Sequence, residues 1–429
     1  MATLVIALFG VILLLCLLLN QSILYALIAG YLLFFCYGLS QKHSFKEMIL
    51  MSLEGIYQIK KILFVFILIG MITAVWRASG TIPLIIYSSS QLITPALFLL
   101  ITFLLNCTIS FLTGTALGTS ATMGIICMSI GNIMGVNEVL IGGAVLSGIY
   151  FGDRCSPVST SALLVCELTK TDIYQNIKQM AKTGFVPFIA TCIIYFIAGL
   201  TISVPQQTLD ILQLFPEHFN LHWVVLLPAF LILFLSLFKI KVIWLMSASI
   251  LASCILCLFV QQIDIRSLIN MMTFGYRTDN TQLAGILNGG GITSMIKVSA
   301  IVCISSSYSG IFNKTNILKG LKKSIASSSH RLTTFGSTLM TSFFSAMIAC
   351  NQTLTIMLTY ELCKDLTPQK EDFAITLEDT AVVVAPLIPW SIAAAAPLAT
   401  ISAPSVSIAF ACYLYLIPLW RLIRIKKYK

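Results

Sequence analysis

Six intervals of this chain, residues 1–41, 78–137, 183–209, 242–263, 332–360 and 380–420, contain no charged side chain. A helix needs about 20 apolar residues to cross the hydrocarbon core of a bilayer, so each interval has room for one, two or three crossings. Roughly ten to thirteen membrane helices are expected by that rule. Composition points the same way: 58% of residues are hydrophobic and 10% charged, whereas a soluble domain averages about 25% charged. Backbone polar groups in hydrocarbon must be satisfied within the protein, and a helix does so within one segment. The expected fold is therefore an all-α polytopic membrane protein.

The N-terminus lacks a basic leader segment and a small-x-small cleavage site. Its apolar run stops near Asn20 and resumes at Ile23, which predicts two membrane helices rather than a removed signal. The net charge of +10 does not mark a nucleic-acid binder, because no solvated basic module is present. The basic residues cluster at 42–61, 170–182, 239–241, 314–331 and 421–429, the loops and tail that the positive-inside rule assigns to the cytoplasm. The expected location is a bacterial cytoplasmic membrane, with the C-terminus cytoplasmic. The thirteen cysteines are scattered, and Cys254-x-x-Cys257 lies in an apolar run without further ligands, so no metal or redox site is expected. His218 and His222 are read as part of an interfacial loop before Trp223.

No soluble domain stands out. The polar stretches at 41–61, 205–222, 264–291 and 314–331 are each too short for an independent core. The first has the apolar spacing of a surface amphipathic helix or of a polar extension of the next crossing. The chain is expected to form one membrane domain over 1–429, with repeats at about 62–204 and 292–420 and peripheral helices and connections at 1–61 and 205–291.

Two regions break the apolar pattern. In the first, "SFLTGTALGTSATMG" at 110–124 is followed after an apolar span by "FGDRCSPVSTSA" at 151–162. In the second, "SFFSAMIACNQTLT" at 342–355 leads to "LEDTAVVVAPLIPW" at 377–390. Each half thus carries a small, polar interruption, then an acid, then a proline. Paired breaks of this kind point to the central site of a repeat-built secondary transporter, made from discontinuous helices in two inverted repeats. Small-residue spacings such as Gly114-x-x-x-Gly118 also serve helix packing. Ionisable residues inside membrane segments are costly and lean functional. The candidate substrate or ion ligands are therefore Thr115, Thr119, Ser120, Asp153, Ser156, Ser159, Thr160, Asn351, Glu378 and Asp379. Ser161 belongs to the same hydroxyl run. Arg154 is a candidate anion anchor, or else a structural partner of Asp153. Asp153 could equally pair with Arg77, and Glu378 and Asp379 could cap a helix start after Lys370.

The motifs "GTALGTSATMGIICMSIG", "GGAVLSGIYFGDRCSPVSTSALL", "TKTDIYQNIKQM", "NGGGITSMIKVSAIVCISSSYSGIF" and "ITLEDTAVVVAPLIPW" resemble, in order from Thr113 onward, the NhaC-type sodium/proton antiporters and their malate/lactate antiporter relatives. The resemblance implies a bacterial secondary transporter with discontinuous helices around a central site. The family's stretch reads GDKMSPLSDTTNLA. Here Asp153, Ser156, Pro157 and Ser159 match it, while Thr160 replaces a second Asp and Leu163 replaces an Asn. The family's ADQ-like turn is here Cys350-Asn351-Gln352, so another carboxylate has become an amide.

Hard cations favour several oxygens including charged ones, and proton exchange needs a titrating group. Two readings follow. One is an antiporter exchanging sodium or protons; the other is ion-coupled transport of an amino acid or hydroxycarboxylate, which the two lost acids favour. A passive channel would lack the matched breaks, and an enzyme would need a nucleophile–base or metal constellation that is not evident. The expected partners are the lipid bilayer, a small inorganic or organic solute and a second copy in a homodimer, with no nucleic acid. No cofactor is expected beyond transported sodium and protons.

Overall fold

The computed structural model describes residues 2–18, 23–92, 95–157, 159–202, 215–238, 240, 242–280, 283–284, 287–315, 333–367 and 369–426. Most of the polar connections at 205–222 and 314–331, with Lys239, Lys241 and the last three residues, lie outside the described residues. Among those described the chain is helical and has no strand, only an antiparallel bridge between Tyr276 and Gly289. It is an all-α, multi-pass membrane protein.

The first half comprises α1 (Ala2–Leu18), α2 (Ile23–Ser40), α3 (Phe45–Gln58), α4 (Lys60–Ala78), α5 (Thr81–Leu92) and α6 (Pro95–Thr113). After a break come α7 (Ala116–Thr119), α8 (Ile125–Ile133), α9 (Glu138–Cys155), α10 (Thr160–Thr169) and α11 (Ile173–Leu200). Beyond the connection lie α12 (Leu227–Leu237), α13 (Val242–Phe259), α14 (Ile265–Phe274) and α15 (Ile296–Lys314). The last stretch holds α16 (Thr334–Ala349), α17 (Gln352–Cys363), α18 (Lys370–Leu377), α19 (Ile392–Thr400) and α20 (Cys412–Lys426). The expected amphipathic helix is α3, whose Ser44 and Glu47 form a reciprocal capping box.

Among the described residues, four helices are long and apolar enough to cross a bilayer singly: Lys60–Ala78, Ala96–Thr113, Ile173–Leu200 and Ile292–Phe312. The Lys370–Leu387 and Ile392–Thr400 segments qualify as a pair bent by 57°. The uncharged intervals are otherwise filled by shorter apolar helices and by helices stopped at polar breaks. Helix α9 reaches 18 residues but carries Glu138, Asp153 and Arg154.

Between membrane helices, small residues allow the close approach that packing requires. Helix α9 lies on α6 through Gly148 and Gly152. A Cβ at Gly152 would sit 2.1 Å from the Ser110 carbonyl carbon, and one at Gly148 would sit 2.8 Å from the Phe103 oxygen. That contact fixes the end of α9 carrying Asp153. Helix α11 shows the accompanying inversion of polarity. Its buried face is Met180, Gly184, Pro187, Thr191 and Tyr195, while Phe185, Ile193 and Ile197 point outward. Large apolar side chains facing away from the body are what hydrocarbon solvates and water does not.

Candidate functional site

Helix α9 ends because Pro157 follows Ser156. Proline disfavours helical backbone at the residue before it, and Ser156 is extended, with φ −81° and ψ 136°. The chain re-enters a helix at Thr160, with Ser159 as N-cap: its Oγ accepts from the Ser161 and Ala162 N–H groups at 3.2 and 3.3 Å. The break folds the start of α10 back beside Asp153. The Ser159 hydroxyl donates to the Asp153 main-chain carbonyl and lies 3.2 Å from Oδ1. The Ser161 hydroxyl donates to Oδ2 at 2.8 Å.

A second break reaches the same carboxyl from the other half. Cys350, with φ +54°, ends α16 in the left-handed region, and Asn351 caps α17 by accepting from the Thr353 N–H at 2.9 Å. Gln352 is thereby placed so that its Nε2 donates to Asp153 Oδ2 at 2.8 Å and to the Val382 carbonyl at 3.2 Å. Tyr150, one turn before Asp153, donates its hydroxyl to the Ala393 carbonyl at 2.6 Å. Halves that are some two hundred residues apart in sequence thus meet around one buried acid.

The neighbouring acids lie in a five-residue π turn, Glu378–Val382, at the end of α18. Such a widened turn re-aims the side chains on it. Asp379 projects into a cationic frame. It forms an ion pair with Arg154, and its Oδ2 accepts from Arg421 Nη1 at 2.6 Å. Arg154 is completely buried and also donates to Thr183 Oγ1 at 2.8 Å and to the Met180 carbonyl at 3.3 Å. Arg421 reaches Thr376 Oγ1 at 3.3 Å and stacks over the Phe335 ring. Glu378 is also fully buried, but among the described residues neither of its carboxyl oxygens has a hydrogen-bond partner. Its environment includes Arg154, Asp153 and Asp379 as electrostatic neighbours.

The remaining candidates are placed differently. A left-handed Gly114, φ +66°, opens the first break. Thr119 donates to the Thr115 carbonyl at 2.9 Å, and Ser120 donates to the Leu117 carbonyl at 2.9 Å, so both hydroxyl protons are used within their own turn. The Ser120–Gly124 segment is a second π turn and packs against α19. Ser156 is buried at the break, whereas Thr160 is exposed and outside the hydrogen bonds to Asp153. Arg154 pairs with Asp379 rather than Asp153, and Arg77 donates to the Thr73 carbonyl at 3.1 Å. Glu378 and Asp379 follow α18 rather than capping its start. The sequence reading left out Gln352, Thr183 and Arg421. Gln352 was recoverable, since it stands at the glutamine of the family's turn; Arg421 reads in sequence as the first residue of a basic tail.

The Na+/H+ antiporter family matches residues 1–164 and 148–423. The chain belongs to the Na+/H+ antiporter family. It is 27% identical over 387 residues to the malate-2H+/Na+-lactate antiporter of Bacillus subtilis, covering 87% of this chain and 82% of that protein. It is 28% identical over 372 residues to the Na+/H+ antiporter NhaC of Alkalihalophilus pseudofirmus, covering 83% and 80%. The arginine/ornithine antiporter ArcD of Halobacterium salinarum is 25% identical over 344 residues, covering 77% and 70%. Family membership makes this a transport protein, and the donor-bound Asp153 beside the unpartnered Glu378 is where its buried charge is concentrated.

Proposed function

We propose that the protein exchanges Na+ for H+ across a bacterial cytoplasmic membrane, with Glu378 and Asp153 as the exchange centre. The carrying observation is the fully enclosed Glu378 carboxyl with neither oxygen hydrogen-bonded among the described residues. An ionised carboxylate in such a place costs far more than one that is paired, so it calls for a proton or a cation. Charge balance supports a single exchangeable charge. Two guanidinium groups, Arg154 and Arg421, pair with Asp379, and Glu378 has Arg154, Asp153 and Asp379 as electrostatic neighbours, so the cluster holds two cations and three carboxyls. With all five ionised, one negative charge is left over, which either one proton or one monovalent cation neutralises. Mutual exclusion of those two occupants is what antiport requires. Asp153, the Gln352 side chain and the hydroxyls of Ser159 and Ser161 supply oxygens for a small hard cation. No cofactor enters this reading.

The test is Na+-driven proton movement in proteoliposomes of the full chain, with no organic solute added. Wild type is expected to exchange, and Glu378→Gln to lose at least tenfold in rate while remaining folded. Undiminished exchange in Glu378→Gln would overturn the assignment. The basic C-terminal residues place the tail in the cytoplasm on this reading, and labelling of a cysteine introduced near residue 425 only from the outside would overturn that orientation.

A further inference from the structure

Asp379 is held from two sides by unlike arginines. Arg154 reaches Oδ1 from within: its side chain is completely enclosed, and it also meets the Met180 carbonyl at 3.3 Å, Thr183 Oγ1 at 2.8 Å and the Tyr413 hydroxyl at 3.4 Å. Arg421, on α20, reaches Oδ2 from the rim, with 17% of its side chain exposed. Its guanidinium meets Asp379 Oδ2 at 2.6 Å, Thr376 Oγ1 at 3.3 Å and the face of Phe335, whose ring centre lies 5.1 Å from Cζ. The Thr376 hydroxyl gives its own proton to the Asp372 carbonyl at 2.8 Å, so it turns a lone pair toward Arg421. A carboxylate oxygen, a hydroxyl lone pair and an aromatic face all attract positive charge, and none of them requires a guanidinium. The place that Arg421 occupies is therefore a cation seat, filled by a side chain.

Charge counting gives that seat a consequence. Asp153, Glu378 and Asp379 set against Arg154 and Arg421 leave one negative charge. Without Arg421, the same three carboxyls set against Arg154 alone would leave two. The Cys155 thiol and the Tyr413 hydroxyl beside Arg154 add nothing to the count, since a thiol and a phenol are ordinarily neutral near pH 7. Uncompensated charge in an enclosed site is costly, so each negative charge left over calls for one mobile positive charge.

We propose that Arg421 is a tethered counter-cation: it fills the seat of a second exchangeable ion and so sets the number of ions that the exchange centre handles at one. The inference rests on the reading of Glu378 and Asp153 as the exchange centre, and it adds what limits the capacity of that centre. Arg421 acts through Asp379 and touches no transported ion, which makes it a positioning residue. Arg154 cannot be exchanged for a mobile ion in the same way, because its fork is also bonded to a main-chain carbonyl and a hydroxyl inside the protein.

The test counts ions on the purified full chain: equilibrium binding of radioactive Na+ at saturation gives Na+ per chain, and a pH-sensitive dye gives the protons released as Na+ binds. Wild type is expected to bind one Na+ and release one proton. Arg421→Gln should double both numbers and make the Na+ dependence sigmoidal. Arg421→Lys keeps a positive charge in the seat and should return the count to one. So should Arg421→Gln combined with Asp379→Asn, which removes one charge of each sign; damage to the fold would not be corrected by a second loss. The proposal is overturned if Arg421→Gln, shown to be folded by circular dichroism and size-exclusion chromatography, binds a single Na+, or if Arg421→Lys or the double variant binds two. Should Arg421→Gln not fold, wild type and Arg421→Lys decide: one Na+ on both upholds the count, and two on either overturns it. Wild type that binds no Na+ and drives no proton movement fails the exchange reading itself, whereas an exchanging wild type beside a folded Arg421→Gln with a single Na+ fails this inference alone.

Discussion

The end of α9 and the π turn after α18 both deliver carboxyls to the same buried region, yet they surround them in opposite ways. Asp153 is dressed by neutral donors: two serine hydroxyls and the Gln352 amide lie around its carboxyl. In the π turn, Asp379 is held by two guanidinium groups while the carboxyl of Glu378, the preceding residue, has no hydrogen-bond partner among the described residues. Neighbours in sequence therefore have different partners, because consecutive side chains on a helical turn point in different directions. Three buried acids need not have one role: one closes a structural frame with two guanidinium groups, one accepts hydrogen bonds from neutral donors, and one is left for a mobile charge.

The comparison breaks most easily at Asp379. Asp379→Asn removes one side of a completely buried pair and is expected to cost about 3–5 kcal/mol, read from denaturant unfolding in detergent. Combining it with Arg154→Gln should recover a large part of that loss, the sign of a coupled pair. Wild-type stability in Asp379→Asn alone would show that the frame is not structural.

A smaller effect is expected at Asp153. Asp153→Asn keeps the shape but sets an amide N–H against the Gln352 donor, and hydrogen bonds to a charged group contribute about 1.5–3 kcal/mol. Stability should fall by about that amount, and Na+-driven proton movement by at least tenfold. Full exchange activity in this variant would remove Asp153 from the exchange centre. Tyr150→Phe sharpens the picture of how the halves are joined. It strips the donor from the Ala393 carbonyl, and a loss of about 1 kcal/mol with exchange retained is expected; loss of exchange at unchanged stability would give the hydroxyl a role in transport.

The smallest stability effect belongs to Glu378. Since neither oxygen is bonded, Glu378→Gln gives up no hydrogen bond and is expected to change stability by less than about 1 kcal/mol, while exchange disappears. A loss as large as that of Asp379→Asn would mean that Glu378 has a structural partner and that the contrast within the turn is false.

Much of this was legible in the chain. Uncharged intervals announced the membrane helices, and the pairing of small, polar breaks with acids pointed to residues 153 and 378–379. Both π turns, Ser120–Gly124 and Glu378–Val382, fall inside the two flagged regions. The partners were not legible. Arg154 looks adjacent to Asp153 in sequence, but at the end of α9 it swings to the α11 side and meets Thr183 and Asp379. Gly148 and Gly152 determine that geometry by pressing α9 onto α6, and a spacing of small residues does not reveal which helix it will touch. Thr160 shows the same limit: it stands at the family's acidic position but points outward.

By itself, the sequence determined where charge is excluded, where proline and glycine interrupt helices, and which acids lie deep, because those follow from local chemistry and from the thickness of a bilayer. Tertiary structure alone decided which acid keeps a cation, which keeps neutral donors and which keeps nothing. It likewise left Arg421 at the rim of the frame while enclosing Arg154. Pair energies inside a protein depend on distances of a few ångströms between segments far apart in the chain, and only packing sets those distances.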